Sequence, residues 1–458
     1  MSTSRTALLF PGQGAYLPGV LRAAAQVPEV RAILDAVESV GVPVGGFTAS
    51  ALLTEPDAPS ADVLAGQSPE SLDLAILAMD LAAQAILGEL GVRADVLAGH
   101  SFGELAAVTV AGALTVRDAA RFVRLRWSVF GEVPGPSGTM CLVAVDRRRA
   151  DHLVGLADDP DLAVAVTNGP EECVISGPAT ALVGVENVAQ ALGVRAARVP
   201  AARPFHNPAF AATGRLLAQR TALLPVEPPC TPVYSAILNR YLTTRDDVHE
   251  LFACHLVQPV DFYEGLRRLH HYGTRHFVEA GARGILTRLA HSALPPGITT
   301  VAPFDRRRSR EELAGLFGDS AAQPETVGAA DRSWPPDRTD SEPVSEPADA
   351  PAATAPEAPA VTTDNGGQAL PSVDQLAAEL RTTYAEFLGF PTEMLTDSVD
   401  LEADLGVDSI KQVTLFSKLA KRYELDAAGL DVRVTSYTTL PAIANLLHKL
   451  ASNGSKAR

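Results

Sequence analysis

Gly99-His100-Ser101-Phe102-Gly103 is the run in this chain whose residue types and spacing most directly suggest covalent chemistry. A Gly-x-Ser-x-Gly between a strand and a helix is a nucleophile elbow, a turn too sharp for side chains at its flanks that lifts the serine hydroxyl above the sheet. The strand is expected at 94–98 and the helix at 104–114, apolar and without a breaker before Gly112. Ser101 would then sit beside unpaired helix N–H groups where an oxyanion develops. A serine needs a base, and a neutral histidine suits that task near neutral pH. Ten histidines are available, and residue chemistry alone does not choose among them.

Two other positions carry chemistry. Arg126 shares a helix with Arg121 and Arg124 but is turned away from both at ordinary helical pitch. Its planar guanidinium suits bidentate pairing with a carboxylate better than a lysine would. Ser409 opens an amphipathic run, so it stands at an exposed, phosphate-compatible helix N-terminus.

The elements that must position these residues read as an α/β fold, because strand-like and helix-length apolar runs alternate from residue 6 to about 315. The first strand ends in Phe10-Pro11-Gly12-Gln13-Gly14, whose glycines let backbone approach a ligand. Helices are expected at 71–90 and 118–130. Strands at 140–145, 162–167 and 173–176, with helices at 147–154 and 179–191, suggest a small inserted α+β subdomain over about 138–199. Residues 319–371 turn to Pro, Ala, Glu, Asp, Ser and Thr, the composition of a disordered acidic linker. Residues 372–458 suit a small helical bundle. Leu376, Leu380, Tyr384 and Phe387 share one face, as do Ile410, Val413, Phe416 and Leu419, and Pro441 stands at the first position of a last helix. The domains are thus 1–318, the linker, and 372–458.

Composition narrows the class. A length of 458 residues points to two or three domains, and 47% hydrophobic with 20% charged residues is ordinary for a globular protein. A net charge of −16 argues against non-specific nucleic-acid binding. Cys141, Cys173, Cys230 and Cys254 are scattered without metal-like spacing, so no metal, no disulfide framework and a reduced cytoplasmic setting are expected. The opening residues lead into a strand, which does not suit a signal peptide, and no bilayer-spanning stretch is expected.

Taken in order, Phe10-Pro11-Gly12-Gln13-Gly14, Gly99-His100-Ser101-Phe102-Gly103-Glu104, Asp118-Ala119-x-Arg121-x-x-x-x-Arg126, Asn168-Gly169, Val174-Ile175-Ser176-Gly177, Phe205-His206 and Phe277-Val278-Glu279-x-Gly281 resemble the malonyl-CoA:acyl-carrier-protein transacylase family, the acyltransferase domains of fatty acid and polyketide synthases. Leu405-Gly406-Val407-Asp408-Ser409-Ile410 is similar to acyl carrier proteins. The resemblance implies a hydrolase-like parallel sheet with a ferredoxin-like α+β insert, then an all-α four-helix carrier domain. It implies Ser101 as nucleophile and His206 as base, oriented by a backbone carbonyl near Gln258. The oxyanion donors would be the amides of Gln13 and Phe102. Arg126 would hold the free carboxylate of a malonyl or methylmalonyl group, with Phe205 the malonyl-type residue before the histidine. Ser409 would carry 4′-phosphopantetheine. Three departures stand out. Arg203-Pro204 replaces a common His-Ala, Asp73-Leu74 falls where Gln-Pro is usual, and Lys411, Lys418, Lys421 and Arg422 make the carrier helix unusually basic.

The expected protein is an acyltransferase–carrier didomain that loads malonyl from CoA, through acyl-Ser101, onto its own or another carrier and supplies separate synthase subunits. The rivals are a hydrolase that clears stalled acyl groups, a transferase moving a non-malonyl group between carriers, and a non-catalytic delivery protein.

Overall fold

β1 (Arg5–Phe10) has its last four residues fully buried, and the apolar run Ala7-Leu8-Leu9-Phe10 places it between two parallel neighbours. A strand covered on both faces by helices reads as a continuous apolar run rather than an alternating one. The computed structural model describes residues 4–41, 47–199, 201–317, 373–388, 392, 395–397, 399, 401 and 439–454. The chain divides into two units, 1–325 and 326–458.

In the first unit the main sheet has the order β11-β10-β1-β2-β7-β8. Here β2 is Val96–Gly99, β7 Val233–Ser235, β8 Arg240–Leu242, β10 Thr274–Glu279 and β11 Thr299–Val301. All pairs are parallel except β7 with β8, where a short antiparallel hairpin closes one edge.

A second sheet has the order β6-β3-β5-β4-β9, with β3 at Thr139–Val143, β4 at Ala163–Gly169, β5 at Glu172–Gly177, β6 at Ala196–Val199 and β9 at Val260–Asp261. Its first four strands and the helices Arg147–Ala157 and Ala179–Ala191 follow one another as βαββαβ, with antiparallel pairs throughout. Its core holds Cys141, Val143, Ile175, Leu182 and Val185. β9 comes from the main domain and pairs in parallel with β4, so backbone hydrogen bonds stitch the insert to the domain that carries it.

The Pro69–Glu89 helix is the apolar axis of the larger domain. By length and mean hydropathy, 1.5, it passes for a bilayer-spanning segment, which the sequence reading did not expect. Yet 83% of that window is buried in the fold, and Asp73 and Asp80 lie inside it. A core helix meets the same length and hydropathy test as a membrane span.

In the second unit the Val373–Leu388 and Leu440–Gly454 helices share a core of Leu376, Leu380, Tyr384, Ile443 and Leu447, closed by Leu395 and Leu401. Residues 319–371 and the Ser409 motif lie outside the described residues.

Candidate active site

The elbow forms where the glycine spacing places it. β2 ends at Gly99 and a helix starts at Gly103 (Gly103–Val110). A Cβ on Gly99 would lie 2.2 Å from the Glu104 nitrogen, and one on Gly103 would lie 2.0 Å from the Phe10 carbonyl oxygen. No side chain fits at either flank, so the chain turns within three residues and Ser101 takes φ 54°. Glu104, fully buried, anchors the turn: Ser235 Oγ–H donates to its Oε2 at 2.5 Å and the Ile237 N–H to its Oε1 at 2.9 Å. Burial pushes its carboxyl up to about 8 against those hydrogen bonds.

His206 meets Ser101, with 2.5 Å between Nε2 and Oγ. Its Nδ1 lies 2.8 Å from the Gln258 carbonyl oxygen, which can only accept, so Nδ1 carries the proton and Nε2 faces the serine with a free lone pair. Burial lowers the His206 pKa to about 3, with His100 and Arg126 adding to the fall and the Gln258 hydrogen bond opposing it. A neutral imidazole facing a hydroxyl is set to accept its proton. His100 does other work. Its Nε2 lies 2.8 Å from Asn168 Oδ1 on β4, and its ring meets Phe262 edge-on, so it ties the elbow to the inserted sheet.

The Gly12–Gln13 loop packs against the elbow, for a Cβ on Gly12 would stand 2.7 Å from the His100 carbonyl oxygen. Among the described residues the Gln13 and Phe102 amides donate to no protein acceptor, the condition a preorganised oxyanion site requires.

Arg126 is 2% exposed and already has a carboxylate partner inside the chain. Its Nη1 donates to Asp73 Oδ2 at 2.8 Å, where the reading from sequence left it free for a substrate. Asp73 is fully buried and also accepts from Trp127 Nε1 at 2.8 Å, and from the Gln13 side chain at its other oxygen, also at 2.8 Å. Desolvation pushes the Asp73 carboxyl up, and Arg126 pulls against it. Every hydrogen bond that Asp73 makes is one it accepts, so the ionised form is the one this environment serves. The Phe205 ring, 2% exposed, stacks beneath the Arg126 guanidinium at 4.3 Å, with Trp127 at 5.5 Å and Phe102 at 5.6 Å.

Sequence reasoning did not assign Trp127 or His255. His255 is buried against Phe102, Phe122 and His206, and among the described residues neither ring nitrogen has a hydrogen-bond partner. The available signal was Asp73 itself, for a carboxylate among the apolar residues of a core helix is costly unless it is paired. Among the described residues no group of three or more His, Cys, Asp and Glu is placed to hold a metal ion.

Residues 8–315 match the acyl transferase domain family, and residues 378–447 match the family described as the phosphopantetheine attachment site. The polyketide synthase GfsA of Streptomyces halstedii is 32% identical over 290 residues, which are 62% of this chain and 4% of that protein. The acyltransferase domain from the second module of the salinomycin polyketide synthase superposes with a TM-score of 0.58 at 28% identity, covering 69% of this chain and 72% of that one. A loading acyltransferase from the avermectin modular polyketide synthase gives a TM-score of 0.60 at 26% identity, covering 68% and 98%. The chain spans only a small part of the curated relatives, 19% of the pikromycin synthase component PikAIII and less of GfsA. An elbow serine hydrogen-bonded to a buried histidine, on a mainly parallel sheet carrying a βαββαβ insert, is thus the core of a domain that belongs to the acyl transferase domain family, an acyltransferase followed in the same chain by a phosphopantetheine attachment domain.

Proposed function

We propose that the chain is an acyltransferase–carrier didomain that takes an acyl group from CoA onto Ser101 and passes it to a phosphopantetheine thiol, its own or that of another carrier. The observation that carries this reading is the Ser101 Oγ to His206 Nε2 contact of 2.5 Å, with the tautomer set by Gln258. His206 takes the serine proton as Oγ attacks the thioester carbonyl. The Gln13 and Phe102 amides face the oxyanion of the tetrahedral adduct. The carbon–sulfur bond breaks as His206 returns its proton to the departing CoA sulfur, leaving an acyl-Ser101 ester. Phosphopantetheine, when attached, supplies a second thiol, and Ser409 is the residue we assign to hold it. For that half-reaction His206 takes the thiol proton and returns it to Ser101, so the enzyme ends as it began.

On this reading residues 1–318 are the transferase, with a ferredoxin-like insert over about 138–199 supported by its βαββαβ order. Residues 319–371 are a linker and 372–458 a four-helix carrier, supplying building blocks to separate synthase subunits in the cytoplasm. The linker holds the carrier arm at high local concentration. Malonyl is the acyl group that the resemblance implies through Arg126 and Phe205, and the Asp73–Arg126 pair bears directly on that choice.

Mass spectrometry of the intact chain after incubation with acyl-CoAs tests the reading. One acyl adduct on the wild type and none on Ser101→Ala supports it; equal adducts on both overturn it.

A further inference from the structure

We propose that Asp73 determines acyl specificity, and that by occupying Arg126 it selects acyl groups bearing no carboxylate. This deepens the acyl-Ser101 reading and rests on it. The pair adjoins the reacting atoms through three neighbours. Phe102 follows the nucleophile and Phe205 precedes the base, and both rings lie against the guanidinium. Gln13, whose amide serves the oxyanion on that reading, donates its side-chain Nε2–H to Asp73.

The charges decide the case. Arg126 and Asp73 sum to zero, and both are at most 2% exposed. A substrate carboxylate has two ways in, and each is unfavourable. It can displace Asp73 from Arg126, which strands a buried carboxylate with only the neutral donors of Gln13 and Trp127. It can instead share the guanidinium, which places two negative charges beside one positive charge between aromatic rings that screen poorly. Nη1 is the only Arg126 nitrogen that donates a hydrogen bond among the described residues, and the buried Nε–H has no acceptor there, so the pair leaves guanidinium N–H groups unpaired. A neutral acyl group leaves the pair's charge balanced, whereas a carboxylate adds a second negative charge beside the one guanidinium. An ammonium group on the acyl chain is no better served, because it adds a second positive charge beside a pair whose one negative charge Arg126 already balances. The class that fits is an uncharged acyl group.

The experiment offers the full chain equal concentrations of acetyl-, butyryl- and malonyl-CoA and reads the Ser101 adducts by intact mass over time. In the wild type, an uncharged acyl group is expected to load at least tenfold faster than malonyl. Malonyl loading as fast as either uncharged group overturns the proposal while leaving the acyl-Ser101 reading intact. Failure of every donor to label Ser101 overturns that reading, and the proposal with it. Asp73→Gln keeps a hydrogen-bonding side chain and removes the charge, and is expected to raise the malonyl-to-butyryl rate ratio tenfold or more; an unchanged ratio in a folded variant overturns the assignment to Asp73. Should Asp73→Gln not fold, the wild-type competition still decides.

Discussion

Ser101 and His206 meet across 2.5 Å from backbone positions that are both left-handed, at φ 54° and 56°. Left-handed backbone is costly for any residue with a Cβ, by roughly 1–3 kcal/mol each at functional sites. Two such residues in one hydrogen bond mean that the surrounding structure holds both against their local preference. For Ser101 the holding contacts are the glycine-only approaches at Gly99 and Gly103 and the Glu104 anchor. For His206 they include the Gln258 carbonyl and, through the next residue, the Asn207 side chain bound to the Ser176 and Asp161 carbonyls.

The first prediction separates chemistry from strain. Ser101→Ala should lose acyl-enzyme formation, and Ser101→Gly should lose it equally. The glycine variant should be the more stable of the two by about 1 kcal/mol, since only the alanine retains a Cβ at positive φ. His206→Ala should lower transfer by about 10²- to 10⁴-fold, as loss of a general base does. Intact mass, stopped-flow transfer and urea midpoints measure these.

pH dependence follows from the burial of His206. An exposed histidine of ordinary pKa is about nine-tenths protonated at pH 5.5 and would forfeit roughly tenfold in rate. With its pKa lowered to about 3, His206 stays neutral there, so kcat/KM at pH 5.5 should remain within about twofold of its value at pH 7. The same shift bears on stability. The folded pKa is below the unfolded one, so the stabilisation is complete above about pH 6.5 and is lost as pH falls from there toward 3. A pH–rate profile with an acid limb near 6.5 would contradict the assignment.

Glu104 titrates in the opposite sense. Its folded pKa is raised to about 8, so its contribution is present below the unfolded value and is lost as pH rises through about 8. Glu104→Gln should therefore flatten the decline of stability between about pH 5 and 8. Glu104→Ala orphans the Ser235 hydroxyl and the Ile237 amide, and should cost about 2–5 kcal/mol. Chemical denaturation across that pH range provides the comparison.

The buried pair supplies a stability test independent of substrate. Arg126→Leu removes the one charged partner that Asp73 hydrogen-bonds among the described residues and should lower the unfolding free energy by about 3–5 kcal/mol. Combining it with Asp73→Leu should recover most of that loss, because two apolar side chains leave no charge unpaired. Simple additivity of the two single losses would mean that the pair is not coupled in solution.

The carrier half has its own test. A phosphopantetheinyl transferase should add the mass of one arm to the wild type and nothing to Ser409→Ala. Equal modification of both would move the attachment site elsewhere.

Local sequence was enough for the elbow, because its constraints are local: glycine at both flanks of a sharp turn and an apolar strand before it are needed wherever the strand lies. The same holds for the apolar order of β1 and for the helix face of Leu376, Leu380 and Tyr384, all set by the period of the backbone. His206 differs: residue chemistry leaves ten histidines alike, the resemblance implied this one, and its meeting with a serine 105 positions away belongs to the tertiary structure. From sequence, Arg126 was a guanidinium expected to hold a substrate carboxylate, and Asp73 a departure where Gln-Pro is usual. The tertiary structure alone brings the two to 2.8 Å, across 53 residues and between two helices. An ion pair has no sequence period and no required spacing. Which carboxylate a buried arginine holds is decided only when the helices pack.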